Sequence, residues 1–200
     1  KREKAQWFTE MKLRGTKYGR FFTATSVADK FREFDEIYFV YFADFRGRLY
    51  AQTTGISPQG SDMQKALIRF AKGKALDTVD AERWFCIHGA NKFGFDKASL
   101  DDRVAWTKTN HNIIMACAED PINNKFWQEA DTPLQFLAWC FEYAEWRYSP
   151  HTFESKLPVG MDGTCNGLQN FSAMLRDEVG GKATNLVPGA LPNDIYKMVA

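Results

Sequence analysis

The residues that follow Asp131 and Thr132 constrain the fold most, because they predict a long helix with one apolar face. Pro133 stands in the first turn, where its fixed φ suits a helix and its missing N–H costs nothing. The apolar positions then recur at helical spacing, at Leu134, Leu137, Ala138 and Phe141. Such a helix is stable only if its apolar face is buried, so we expect a core to form around it.

Other patterns predict a mixed, helix-rich α+β chain. The run 37–43, rich in aromatic and β-branched residues, indicates a buried strand, and 48–54 its hairpin partner. A further short strand is predicted at 157–161. The remaining helical patterns cover residues 62–72, 101–117, 168–178 and 194–200. In the third of these helices, core packing is expected for Phe171, Met174 and Leu175.

Composition narrows the class of protein. Among 200 residues, 44% are apolar, which is enough for a packed core. Lys and Arg number 26 against 25 Asp and Glu, so a histone-like, uniformly basic protein is excluded. The longest apolar run, 37–43, has seven residues, too few to span a membrane, and a secretory leader is not expected. Buried free thiols are expected at Cys86, Cys117, Cys140 and Cys165.

Charge is unevenly distributed along the chain. Residues 1–20 hold seven Lys or Arg and two Glu, with Trp7, Phe8 and Tyr18 among them. This mixture fits a helix that follows a phosphate backbone, and it fits equally a solvated helix whose aromatic residues pack inward. Residues 119–147 are acidic instead, with six Asp or Glu and two basic residues.

Two segments place an aspartate at the end of an apolar run, with glycine close behind. Asp44 precedes Gly47, and Asp162 precedes Gly163. A carboxylate in this position is a natural magnesium ligand, although Asp before Gly is also common in turns and helix caps. Arg46 and Arg48 either clamp phosphates bidentately or leave one arginine paired with Asp44. The spacing alone does not decide between these alternatives.

Several strings, taken in order, resemble the single-subunit DNA-dependent RNA polymerases of bacteriophages and their mitochondrial relatives. The first two are DFRGRLY at 44–50 and PQGSDM at 58–63. IHGAN at 87–91, NIIMACA at 112–118 and LAWCFEYA at 137–144 follow, and MDGTCNGLQNFSAMLRDEVGG at 161–181 is the longest. IHGAN is more similar to the phage branch than to the mitochondrial one. The resemblance runs from about residue 36 to the end of the chain.

The resemblance implies part of a right-hand polymerase fold, with palm, fingers and thumb around the template. It divides the chain into a basic helical lead-in at 1–35, a palm segment with a helical insertion at 36–178 and the start of the fingers at 179–200. The chain is therefore expected to be an internal segment of a longer enzyme.

The resemblance also assigns roles to individual residues. Asp162 matches the first of two palm aspartates that hold two magnesium ions, and the Gly163 carbonyl would help coordinate them. Lys97 matches a lysine that meets the incoming triphosphate, and Tyr196 a fingers aromatic near the nucleotide. Contacts with the template and the hybrid are implied for Asp44, Arg46 and Arg48. The second metal carboxylate would come from outside this segment.

The implied function is DNA-directed RNA synthesis by two-metal nucleotidyl transfer, in a monomeric protein without membrane association. Its partners would be a double-stranded DNA template, the nascent RNA and ribonucleoside triphosphates. Its place would be the cytoplasm of an infected bacterium or, alternatively, the mitochondrial matrix. A second hypothesis is that the isolated segment is a non-catalytic nucleic-acid-binding or structural fragment, because it lacks the second carboxylate.

Overall fold

A computed structural model describes residues 2–161 and 165–199 of the chain. Its helices are α1 (Arg2–Phe31), α2 (Asp62–Ala66), α3 (Val79–Phe93), α4 (Leu100–Thr109), α5 (His111–Glu119), α6 (Pro133–Tyr148), α7 (Asn166–Leu175), α8 (Glu178–Ala183) and α9 (Ile195–Val199). Its strands are β1 (Tyr41–Ala43), β2 (Leu49–Ala51), β3 (Lys74–Ala75) and β4 (Glu154–Ser155). Two antiparallel pairs form, β1 with β2 and β3 with β4. The helix-rich α+β class predicted from the sequence is confirmed.

The core forms around α6, but on a different face from the predicted one, since Phe141 is 46% exposed and the other three predicted positions, Leu134, Leu137 and Ala138, are half-buried. Phe136, Trp139 and Cys140 of this helix are fully buried. They pack against α3 and α5, which contribute Phe85 and Ile114 among others. The Trp139 indole N–H donates to the Phe85 carbonyl at 3.0 Å, so the polar atom of this large side chain is also satisfied. Pro133 lies in the first turn of the helix, as expected.

The helix predicted over 101–117 is instead two helices, α4 and α5, which meet at Asn110. The backbone of Asn110 has φ −89° and ψ 11°, and its side-chain amide donates to the Trp106 carbonyl at 2.8 Å. An asparagine side chain that competes for a backbone carbonyl favours helix ends over helix interiors, which accounts for the break. The buried Thr107 hydroxyl donates to the Cys86 carbonyl at 2.9 Å and fixes α4 on α3.

The strand predicted over 37–43 is shorter than expected and is not buried. Only Tyr41–Ala43 forms a strand, and it pairs with β2 in the register Tyr41↔Ala51 and Ala43↔Leu49. The predicted hairpin pairing is thus confirmed, and the predicted burial is wrong. Within the described part of the chain this is a two-stranded ribbon with about half of the Phe42 side chain exposed.

Three other predicted elements differ from those in the structure. The helix predicted over 62–72 stops at Ala66, and further on the Phe70 N–H donates to the Lys156 carbonyl at 2.8 Å. The strand predicted at 157–161 is not formed, since the paired residues are Glu154 and Ser155. The helix predicted over 168–178 divides at Arg176, whose φ of 54° turns the chain into α8.

Several aromatic and apolar side chains predicted to be buried are exposed. The alternative in which the aromatic residues of the first helix pack inward is wrong, because Ala24 is the buried residue of α1 and Tyr18 is 71% exposed. Core packing is likewise wrong for three side chains of α7, namely Phe171, Met174 and Leu175. Cys86, Cys117 and Cys140 are buried thiols as predicted, whereas Cys165 is half-buried.

Across residues 2–161 and 165–199, none of the helices combines the length and the apolar character required to cross a membrane.

Candidate active site

The turn between β1 and β2 is built by Asp44. Its carboxylate accepts hydrogen bonds from the backbone N–H groups of Arg46 at 2.9 Å and Arg48 at 3.0 Å. Gly47 follows with φ 75°, a conformation that L side chains rarely adopt. The N–H of Arg48 is the main reason that the pKa of Asp44 lies below its ordinary value. Asp44 is therefore ionised and acts first as the organiser of the turn.

The two arginines of the turn have different partners. The Arg46 guanidinium meets Asp44 through Nη2 at 2.8 Å and Nε at 2.9 Å, and Nη2 also donates to the Tyr50 hydroxyl at 3.0 Å. Its carbon atom lies 5.6 Å from the centre of the Phe45 ring. Arg48 is exposed, and its guanidinium takes part in no hydrogen bond or ion pair with any described residue. Arg48 is thus the arginine of this turn that is available to an external phosphate.

The PQGSDM segment joins the hairpin to the core. The Gln59 amide accepts from the N–H of Ala51 at 2.7 Å and donates to the Leu49 carbonyl at 2.8 Å, which covers one edge of β2. Asp62 caps the first turn of α6, accepting from the N–H groups of Leu134 at 2.8 Å and Gln135 at 3.1 Å. A carboxylate at a helix N-terminus satisfies orphan N–H groups and complements the helix dipole. The hairpin and α6 are thereby held by one short segment.

The segment that leads to Asp162 is anchored by Glu142, a buried carboxylate on α6. It accepts from the Ser155 hydroxyl at 2.7 Å and from the Lys156 N–H at 3.1 Å. Burial raises the pKa of Glu142 above its ordinary value, and the hydrogen bond from Ser155 opposes this shift. The Lys156 carbonyl accepts from Phe70, so this peptide is held on both sides. Asp162 and Gly163 themselves lie outside the described residues.

Lys97 and Tyr196, the two predicted nucleotide-binding residues, lie in different segments of the structure. Lys97 is exposed between α3 and α4, with its ammonium 3.4 Å from the Asp96 carboxylate. Tyr196 is exposed on α9, and a hydrogen bond with the Cys165 thiol raises the pKa of its phenol. Tyr196 therefore lies beside the residue three positions after Asp162. In the described ranges, no hydrogen bond or ion pair joins Lys97 to Tyr196 or to the hairpin.

Comparison with known proteins identifies the family. The family model described as DNA-dependent RNA polymerase matches residues 76–200, more than half of the chain. The chain belongs to this family. Four of the strings on which the resemblance rests, from IHGAN onwards, lie inside the matched residues, and DFRGRLY and PQGSDM precede them.

Individual RNA polymerases are similar over most of the chain. T7 RNA polymerase of Escherichia phage T7 is 47% identical over 173 residues, which are 86% of this chain and 19% of the relative. The DNA-directed RNA polymerase of Enterobacteria phage K11 is 42% identical over all 200 residues, which are 22% of that protein. The mitochondrial enzyme of Neurospora crassa is 42% identical over 166 residues. The chain spans about a fifth of the length of the phage RNA polymerases that it matches.

Sequence reasoning missed the residues that hold the hairpin, the start of α6 and the segment leading to Asp162. The partners of Asp62 lie 72 and 73 positions away, and those of Gln59 and Glu142 lie 8 to 14 positions away in other elements, so the spacing carries no signal of these contacts. Sequence reasoning also missed His88, Lys92 and Gln135, which face one cavity beside the segment leading to Asp162. The string IHGAN and the apolar pattern after Pro133 predicted features of α3 and α6, but they did not predict that these two helices line a common cavity.

His88 gives the fold a pH dependence. Burial, with a smaller contribution from the Lys92 charge, lowers the pKa of His88 from 6.5 to about 4. As the pH falls, His88 takes up a proton in the unfolded chain before it does so in the folded chain, which favours unfolding. The free energy of unfolding therefore keeps its full value above about pH 6.5 and decreases as the pH falls to about 4. Because each pKa unit corresponds to about 1.4 kcal/mol, the drop from 6.5 to about 4 implies a loss of about 3 kcal/mol between pH 7 and pH 4.

The measurement is the free energy of unfolding of the chain in denaturant at several pH values between 4 and 7. His88→Gln should flatten the pH dependence relative to wild type, whereas His151→Gln, at an exposed position, should leave it unchanged. Parallel curves for wild type and His88→Gln would show that His88 does not titrate in this range.

Proposed function

We propose that the protein containing this chain is a DNA-directed RNA polymerase that extends RNA by template-dependent nucleotidyl transfer. The observation that carries the proposal is the family match over residues 76–200, with relatives that are themselves RNA polymerases. The structure adds a turn that presents Arg48 and a core carboxylate, Glu142, that anchors the approach to Asp162. These features suit a scaffold that holds a nucleic acid close to the segment leading to Asp162.

The proposed chemistry is attack by the RNA 3′-hydroxyl on the innermost phosphorus of a ribonucleoside triphosphate, with pyrophosphate as the leaving group. Magnesium, bound as two ions, would neutralise the charge that develops on the attacking and leaving oxygens. Asp162 and the Gly163 carbonyl offer the oxygen donors that magnesium prefers. The second carboxylate is proposed to come from outside this segment.

Further roles are proposed for the remaining candidates. Lys97 would contact the triphosphate, and Tyr196 would lie against the incoming nucleotide. Asp44 shapes the turn and, with Arg46, holds it rigid, so that Arg48 meets the backbone of the template or the hybrid. The proposed partners are double-stranded DNA, nascent RNA and ribonucleoside triphosphates, bound by a monomeric protein.

The phage relatives favour the cytoplasm of an infected bacterium over the mitochondrial matrix as the place where the protein acts. In the proposed division of the chain, residues 1–35 are a lead-in, 36–178 belong to the palm and 179–200 begin the fingers.

For Arg48→Ala in the full-length protein, we expect weaker template binding and a smaller dependence of binding on salt. Removing one phosphate contact should lower the slope of log K against log salt by about 1. Binding is measured by fluorescence anisotropy of a labelled DNA template over a salt series, together with RNA synthesis on the same template.

The matched control is Arg32→Ala, which removes an equal charge from an exposed arginine outside the hairpin. Arg48→Lys should retain the salt dependence because it keeps the charge. If Arg48→Ala binds template as wild type does at every salt concentration, the proposed contact does not exist.

We also propose that the 200-residue chain alone retains template without synthesising RNA. The relatives that carry the activity are about five times longer than the segment they share with this chain. Nucleotide incorporation by the isolated chain would refute this proposal.

A further inference from the structure

A cavity of about 220 Å³ lies between α2, α3, α6 and the segment that approaches Asp162. Its polar lining consists of Lys65, His88, Lys92 and Gln135, and residues 157–160 form one of its walls. Pockets for drug-sized ligands usually measure roughly 300–1,000 Å³, so this cavity suits a small ion or one end of a larger ligand. None of the proposed site residues lines it.

The described lining of the cavity carries positive charge and no acid. Lys65 and Lys92 both face the cavity, while its described lining residues include neither Asp nor Glu. The nearby carboxylate of Asp62 is already occupied, because it accepts from the backbone N–H groups of Leu134 and Gln135 and from the Gln135 amide. Two ammonium groups therefore share one cavity without a carboxylate in it.

Hydrogen-bond donors in the cavity remain in excess. The Lys92 ammonium donates to the Gln135 amide oxygen at 2.7 Å, and this is the hydrogen bond that it makes with described residues. An ammonium has three N–H donors, so two are left. The His88 ring makes no hydrogen bond with any described residue and, when neutral, offers one further N–H.

We propose that this cavity binds a phosphate-type oxyanion, held by Lys65, Lys92 and the His88 N–H. Such an anion accepts several hydrogen bonds at once and offsets the repulsion between the two ammonium groups. The anion is either free, as inorganic phosphate or pyrophosphate, or the phosphate of a nucleotide or nucleic acid. This binding site is independent of the proposed polymerase chemistry.

The electrostatics of Lys92 agree with this site. Burial and, next, the charge of Lys65 lower the pKa of Lys92, so its ammonium is less stable than an ordinary surface lysine. The negative charge of a bound oxyanion would oppose both effects and raise the pKa of Lys92. Occupancy therefore has a signature at one lysine that does not depend on RNA synthesis.

The test is lysine labelling of the full-length protein, with magnesium absent, by an amine-reactive acetylating reagent and detection by mass spectrometry. Labelling is compared in potassium phosphate, sodium pyrophosphate, a short single-stranded DNA and sodium chloride at equal ionic strength. We expect acetylation of Lys92 to slow at least fivefold with an anion that binds, while acetylation of the exposed Lys125 stays unchanged. Protection by phosphate or pyrophosphate identifies a free anion as the source, and protection by DNA alone identifies backbone phosphate.

Equal labelling of Lys92 in chloride and in all three anion solutions would overturn the proposal. A second measurement is the ³¹P line width of inorganic phosphate with wild-type protein and with Lys65→Met, a variant of an exposed residue that leaves the core intact. The line should be broader with wild type than with the variant. Equal widths would also overturn the proposal unless DNA protects Lys92 from labelling, whether or not RNA synthesis by the same preparations is detected.

Discussion

Asp162→Asn in the full-length protein is expected to reduce magnesium-dependent RNA synthesis by on the order of 1,000-fold. The proposed metal-bound carboxylate supplies several kcal/mol of transition-state stabilisation, and each 1.36 kcal/mol corresponds to a factor of ten in rate. Asparagine has nearly the same shape but lacks the negative charge. The measurement is single-nucleotide extension of an RNA primer on a DNA template over a range of magnesium concentrations.

The matched control is Asp101→Asn on α4, where the carboxylate is exposed and pairs with Arg83 at 2.9 Å. Exposed ion pairs contribute little, so this variant should extend RNA at the wild-type rate. Template binding by Asp162→Asn should remain close to that of wild type, since the proposed loss is in chemistry. Near-normal extension by Asp162→Asn would remove Asp162 from the proposed metal site.

Gly89→Ala is expected to lower the free energy of unfolding by about 3 kcal/mol, at the upper end of overpacking costs. A Cβ at this position would overlap the indole ring of Trp139, which is fully buried and held by its hydrogen bond to the Phe85 carbonyl. The ring cannot move without disturbing the aromatic cluster around α6. Denaturant unfolding of the chain, followed by circular dichroism, measures the loss.

The control for this prediction is Gly15→Ala on α1, where no atom lies within 4 Å of the added carbon. Alanine has the higher helix propensity, so this change should be neutral or slightly stabilising. In the double variant with Trp139→Phe, the smaller ring should offset part of the Gly89→Ala loss. Additive losses in the double variant, or a stable Gly89→Ala, would contradict the proposed overlap.

The sequence predicts an element well where the local pattern alone determines it. The helix from Pro133 was predictable because its start signal and its apolar spacing agree. Its buried face was not, because the core covers Phe136 and Trp139 while Phe141 is exposed. The division into α4 and α5 at Asn110 was not predictable, because the hydrogen bond from its side-chain amide to the Trp106 carbonyl can be identified only in the folded chain. The prediction of burial was wrong for Phe42 and Phe171. An apolar pattern identifies side chains that favour apolar contacts, but it does not say whether the described residues provide those contacts.

The candidate site shows the same division. The spacing of Asp44, Gly47 and Arg48 predicted a turn with arginines at its tip, and the structure has one. The spacing could not show that Arg46, rather than Arg48, pairs with Asp44, because that pairing depends on side-chain geometry. The cap of α6 by Asp62 joins residues 72 positions apart, and periodicity contains no information about such contacts.

The buried carboxylate of Glu142 has a consequence for how this protein can evolve. One side chain of the central helix holds the peptide of Lys156, six positions ahead of Asp162. Mutations that shift α6 should therefore also shift the peptide of Lys156, which leads to the proposed metal ligand Asp162. Thermal stability and the activity proposed for Asp162 should respond to the same substitutions, so that selection for one alters the other.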